Sequence, residues 1–172
     1  MPNWCKGVLK IKGKKKDLLT FLNNGIERYG YPRDENDEYT KYPLNVETDE
    51  WGDVFVNYTD KKNNSWLYFK DSRRCFIEEC IEWYWDTSNV EDLEEEYIKC
   101  LDIKQAWSLE PDYFKEISQK YNVDFRMTGF ECGGCFTQEI EIIKGEITLN
   151  KVNEYKEWEQ YQWEVYDPRL GG

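Results

Sequence analysis

Histidine is absent from this 172-residue chain. That absence removes the commonest general base, the usual partner of a catalytic serine or cysteine, and the favoured nitrogen ligand of transition metals. Any catalysis would have to rest on carboxylates, lysine, tyrosine or cysteine. Long apolar runs are missing as well. The longest is the four residues from Trp66 to Phe69, against the roughly 20 that a membrane-spanning helix needs. There is no phosphate-binding loop, and Gly129, Gly133 and Gly134 lack the spacing of a dinucleotide-binding turn. Nucleotide hydrolysis has no support, and neither catalytic residues nor a cofactor are expected. No internal repeat and no low-complexity linker is present.

What the chain does hold is aromatic and acidic. Its 8 Trp, 13 Tyr and 8 Phe give much buried area from few positions, which implies a globular core. The net charge of −12 is uneven: the first 16 residues carry six lysines and no acid, and the other 156 carry 17 basic and 35 acidic side chains. Such a field repels nucleic acid and anionic membranes and attracts basic surfaces; it also serves solubility. Two dense acid runs stand out as candidate partner-binding residues. They are Asp34, Glu35, Asp37 and Glu38, and Glu91, Asp92, Glu94, Glu95 and Glu96. Neither has the spacing or the glycine of a calcium-binding loop, so no metal is assigned to them. Reversing the second run to lysine is expected to leave folding nearly intact.

Met1 followed directly by Pro2, Asn3, Trp4 and Cys5 leaves no room for a signal peptide, so a cytoplasmic setting is expected. Thiols stay reduced there. The six cysteines, at 5, 75, 80, 100, 132 and 135, are therefore read mostly as small core hydrophobes. Cys132-Gly-Gly-Cys135 has the spacing of half a zinc site, with Cys75 and Cys80 as the other candidates. Their five-residue separation is not that of a zinc knuckle, however, and six free thiols without metal are expected.

Periodicity predicts a strand over 6–12, with Leu9 and Ile11 on one face and Val8 on the other. A helix follows over 17–29, with Leu18, Phe21, Leu22, Gly25, Ile26 and Tyr29 on one stripe and Gly30 as its stop. Residues 31–53 read as an acidic loop or insertion. Strands over 54–59 and 65–70 are expected to form a hairpin, followed by a helix over 73–86. Next come a strand over 99–107 and a helix over 111–121, which has Pro111 at its first position and Phe114, Ile117, Ser118 and Tyr121 inward. Strands at 123–131, 136–143 and 147–152 complete the order. The tail over 154–166 fits helix or strand.

That order suggests an α+β, ferredoxin-like sandwich of antiparallel sheet and helices, formed as one domain over 1–172 with an insertion at 31–53 and an appended segment at 154–172. Met1-Pro2-Asn3-Trp4-Cys5 running into the Val8–Lys12 strand resembles the opening of the YubB/Api92 ferredoxin-like family of phage and plasmid proteins. Ala106-Trp107-Ser108, Pro111 with its helix, and Tyr121 leading through Val123-Asp124-Phe125 to Gly129–Gly134 resemble a later segment of that family. The likeness covers residues 1–22 and 99–135, with one proline after Trp107 where the family commonly has two.

The resemblance implies an accessory protein of a mobile element in a bacterial host. Joined to the charge, it suggests a non-enzymatic inhibitor that docks on a basic, nucleic-acid-binding defence protein, a restriction or CRISPR effector, by imitating nucleic-acid charge. An accessory domain that binds a small ligand or a replication protein is the alternative, and a carboxylate-dependent enzyme is the third.

Overall fold

Strict alternation at the start of the chain sets the architecture. In strand β1 (Trp4–Lys14), Cys5, Gly7, Leu9 and Ile11 are buried while Lys6, Val8, Lys10 and Lys12 turn to the other side, as the two-residue strand period requires. The computed structural model describes residues 3–33, 35–36, 38–44, 46–48, 54–56, 66–78, 81–83 and 92–171. After β1 come helix α1 (Lys15–Gly25) and strands β2 (Ile26–Arg33), β3 (Tyr39–Tyr42), β4 (Val46–Thr48), β5 (Val54–Val56), β6 (Trp66–Phe69), β7 (Cys75–Ile77) and β8 (Ile81–Trp83). A single 3-10 turn, Asp92–Glu94, precedes β9 (Glu96–Ala106). Helix α2 (Pro111–Tyr121), strands β10 (Asp124–Glu131), β11 (Phe136–Ile143) and β12 (Glu146–Glu154), and helix α3 (Trp158–Glu164) complete the order.

Nine strands form one antiparallel sheet in the order β12-β11-β10-β1-β9-β7-β6-β2-β3, and β4, β5 and β8 form a second, three-stranded sheet. The pairings make β1 and β2 parallel, with β9, β7 and β6 between them, and β9 and β10 parallel, with β1 between them. The connections through α1 and α2 are thus two interleaved β-α-β units. The protein is α+β, and its main sheet is larger than that of a ferredoxin-like sandwich.

Both helices contribute to one core. Leu18, Phe21 and Leu22 of α1 and Phe114, Ile117 and Tyr121 of α2 cluster with Leu9, Ile11, Leu101, Phe125 and Ile140 of the sheet. The inner stripe of α2 is the predicted one. Pro111 starts the helix, and Asn122 ends it in the left-handed region at φ 55°, donating its N–H to the Ser118 carbonyl. Lys144 and Gly145, at φ 50° and 73°, make the tight hairpin turn that two positive φ values specify.

The first half departs from expectation. α1 stops at Gly25, and Ile26 and Tyr29 belong to β2, paired with Phe69 and Trp66 of β6. Residues 31–53 are not all loop, since β2 runs on to Arg33 and β3 and β4 follow. β5 pairs with β4 and β8, and β6 with β2 and β7, so the 54–70 hairpin does not form. The 73–86 helix is replaced by β7 and β8. Cys75 and Ile77 are buried on one side of the strand with Phe76 on the other, and the backbone fills the slot between β9 and β6. Glu79, Cys80 and residues 84–86 of that prediction lie outside the described residues, as do 57–59 and 65 of the two predicted strands.

Candidate functional site

Two helices cover one face of the sheet. The residues of opposite parity build the other. Trp4 and Lys6 of β1 lie beside Ala106 and Lys104 of β9, Phe76 of β7 lies beside Lys104, and Tyr68 of β6 beside Phe76. Their rings form a continuous run: Trp4 to Phe76 at 5.6 Å, Phe76 to Trp66 at 6.2 Å, Trp66 to Tyr39 at 4.8 Å and Tyr39 to Tyr31 at 5.4 Å, all edge to face. Such contacts suit the aromatic quadrupole and hold each ring upright against the next. Two adjoining cavities of about 390 and 330 Å³ open along this run and share Tyr39, Trp66 and Phe76.

The polar rim is partly paired. Glu78 accepts from Lys104 at 2.6 Å and pairs with Lys6 at 3.3 Å. Burial pushes the Glu78 carboxyl upward, but these two lysines outweigh it and hold the group below its ordinary value. The Lys104 ammonium lies 5.6 Å from the Trp4 ring and 5.8 Å from that of Phe76, within cation–π range. Across the groove, Arg33 sits 4.6 Å from the Tyr39 ring. Burial, then the Glu27 carboxylate beside it, push Tyr29 up to about 12. The groove is therefore apolar at its floor, and at its edge Lys6, Lys104, Arg33 and Arg74 outnumber Glu78 and Glu38.

The two acid runs part company. Asp34, Asp37 and Glu91 lie outside the described residues. Glu35 is exposed in the turn after β2, and Glu38, also exposed, lines the groove beside Tyr39 and Arg74. Asp92 opens the 3-10 turn. Glu94, Glu95 and Glu96 face lysines of their own chain: Glu94 pairs with Lys14 and Lys16, Glu95 with Lys15, and Glu96 with Lys12. The basic start of the chain and the second acid run, separate in sequence, largely neutralise each other. Sequence reasoning overlooked Phe76, Glu78 and Lys104. The usable signal was the alternation Trp4-x-Lys6-x-Val8 and Trp66-x-Tyr68, whose outward members had to share a face.

Cys132 to Cys135 form the turn between β10 and β11. The Cys132 thiol donates to the Gly171 carbonyl at 3.1 Å, and Glu131, 2% exposed, accepts from the Gly133 and Gly134 amides. Among the described residues no group of three or more Cys, Asp or Glu side chains is placed to hold a metal ion. Burial, then the Glu131 charge, push the Cys132 thiol up, and burial of Cys5 takes its thiol to about 12. These are protonated, weakly nucleophilic sulfurs.

Segments a hundred residues apart converge at this corner. The Trp107 amide donates to the Asn3 carbonyl at 2.8 Å, Trp4 pairs with Ala106, and Gly129 leaves room for Cys5 and Leu109. Comparison with protein-family models, curated proteins and solved structures gave no match. Among the described residues no helix is long and apolar enough to cross a membrane.

Proposed function

We propose that the protein is a non-enzymatic binding module that holds a protein partner in the aromatic groove on the sheet face opposite α1 and α2, which is open among the described residues. The observation that carries this reading is the unbroken run Trp4, Phe76, Trp66, Tyr39, with two cavities along it, on a face the helices leave uncovered. Tryptophan and tyrosine in such pockets are the side chains that dominate binding energy at protein interfaces. The net charge of −12 selects a basic partner and speeds its approach.

The two interleaved β-α-β units support a ferredoxin-like core enlarged by the β6–β7 pair, and the convergence of Asn3, Trp4 and Cys5 with Trp107 and Gly129 supports the resemblance to the YubB/Api92 proteins. On that reading the protein is an accessory of a phage or plasmid working in a bacterial cytoplasm. Its partner is a basic nucleic-acid-binding host protein of the restriction or CRISPR type. A carboxylate to imitate a phosphate is then sought at Glu35, exposed in the turn after β2, because Glu94, Glu95 and Glu96 are matched by lysines.

Affinity capture from bacterial extract tests this. The immobilised protein should retain one basic nucleic-acid-binding protein, released by salt, and the folded Trp66→Ala, Phe76→Ala variant should lose it. Equal capture by the variant would remove the groove from the account.

A further inference from the structure

Helix α3 and the residues just past it pose a separate problem, because they carry large aromatic side chains that folding does not use. The segment is fixed by Tyr161, fully buried, and Val165, 6% exposed. Tyr155 and Trp158 rest on the Tyr161 ring at 5.4 and 5.6 Å. Among the described residues the buried Tyr161 hydroxyl has no hydrogen-bond partner, which costs stability. On the outward side, Trp163 is 90% and Tyr166 101% exposed. Single exposed apolar side chains are ordinary, but Trp163 at the end of α3 and Tyr166 two residues past it are two almost fully exposed aromatics within four residues, a local concentration of the kind that marks an interaction site.

The charge around the patch chooses the partner. Over residues 154–169 there are five carboxylates, one lysine and one arginine, with Arg169 paired to Asp167, and Glu157, Glu159 and Glu164 are exposed in the same segment. Glu159 precedes Trp163 by one helical turn and so lies on the same stripe. Phosphate-bearing polymers and anionic lipid surfaces are repelled by this arrangement. A guanidinium suits it: planar, weakly hydrated, able to lie over an indole or phenol face while its N–H groups reach a neighbouring carboxylate.

We infer that the outward face of α3 and the segment just past it form a docking surface for an arginine-rich segment of a protein partner, with Trp163 and Tyr166 stacking on guanidinium groups and Glu159 and Glu164 neutralising them. It shares no residue with the groove of the open sheet face, so either surface stands if the other fails.

A fluorescent peptide of alternating arginine and serine, with a lysine and serine peptide of equal charge beside it, tests this by anisotropy on the full chain. The arginine peptide should bind more tightly than the lysine one. The Trp163→Ala, Tyr166→Ala variant, whose changes remove almost no buried surface, should bind it about tenfold more weakly and lose the preference for arginine. Glu159→Gln with Glu164→Gln should weaken both peptides and keep the preference, and Trp66→Ala should change neither. Equal affinity for the two peptides, or an aromatic variant that binds like the parent, would overturn the inference. So would concentration-dependent dimerisation of the parent abolished in that variant, because a second copy would then be the occupant.

Discussion

Glu94 stands 80 residues beyond Lys14 in the chain and 2.8 Å from its ammonium in the fold. Lys16 meets the other oxygen of the same carboxylate. This pair of lysines, Lys14 first, holds the Glu94 carboxyl down to about 2 from an ordinary value of 4.5. A depressed carboxyl stabilises the fold above its unfolded value and loses that contribution as pH falls through the folded one. The stability advantage of the parent over Glu94→Gln should therefore be complete above pH 4.5 and gone near pH 2. Both partners are exposed, so it should be small and fade with salt. Thermal melts of the two proteins across that range check it.

Reversing Glu94, Glu95 and Glu96 to lysine, part of the reversal of Glu91, Asp92, Glu94, Glu95 and Glu96 expected from sequence to leave folding nearly intact, should instead lower the melting midpoint. The change sets three new ammonium groups against Lys12, Lys14, Lys15 and Lys16, and Lys15 is only 8% exposed. Like charges at that spacing are relieved by screening. The deficit should shrink as salt is added; a deficit indifferent to salt would point to lost packing.

A Cβ on Gly129 would fall 2.6 Å from the Cys5 sulfur and 3.0 Å from a Leu109 methyl. Overpacking of this kind costs about 1–3 kcal/mol. Gly129→Ala should be destabilised by that amount in urea titration, and Cys5→Ala in the same chain should recover part of it, because removing the sulfur opens the space. Additive losses would show that the backbone had moved instead.

Burial sets the thiols apart. Cys5 and Cys75 are fully buried, with ionisation pushed up to about 12 for Cys5 and well above the ordinary value for Cys75, whereas Cys100 is exposed. Alkylation followed by mass spectrometry should label Cys100 in the native protein, and Cys5 and Cys75 only on unfolding. The unfolded chain ionises these thiols from about pH 9 and the folded one does not, so stability should decline as pH rises past 9. Labelling of Cys75 as fast as Cys100 would contradict its placement.

The second half of the fold was open to sequence reasoning because its punctuation is local. Pro111, Asn122 and the Lys144-Gly145 turn fix element ends by backbone geometry alone. The first half is decided by distant partners. Ile26 and Tyr29 continue the spacing of the α1 stripe by accident, and only pairing with Phe69 and Trp66 makes them a strand. Residues 75–84 are dense enough in apolar side chains to suit either period, and a slot beside β9 settles the matter for Cys75–Ile77. The groove was hidden for the same reason. Trp4, Trp66 and Phe76 lie on three strands whose adjacency no local pattern records. Charge misled in the opposite sense, since lysines and acids counted apart in the sequence meet in space.

Photocrosslinking from inside the groove tests the central claim most directly. With benzoylphenylalanine in place of Tyr39, irradiation in bacterial extract should yield an adduct with one basic protein. Adding Trp66→Ala should abolish that adduct, and the same group at exposed Glu116 of α2 should give none. Adducts of equal yield from Tyr39 and Glu116, or an adduct at Tyr39 indifferent to Trp66→Ala, would contradict binding through the open face.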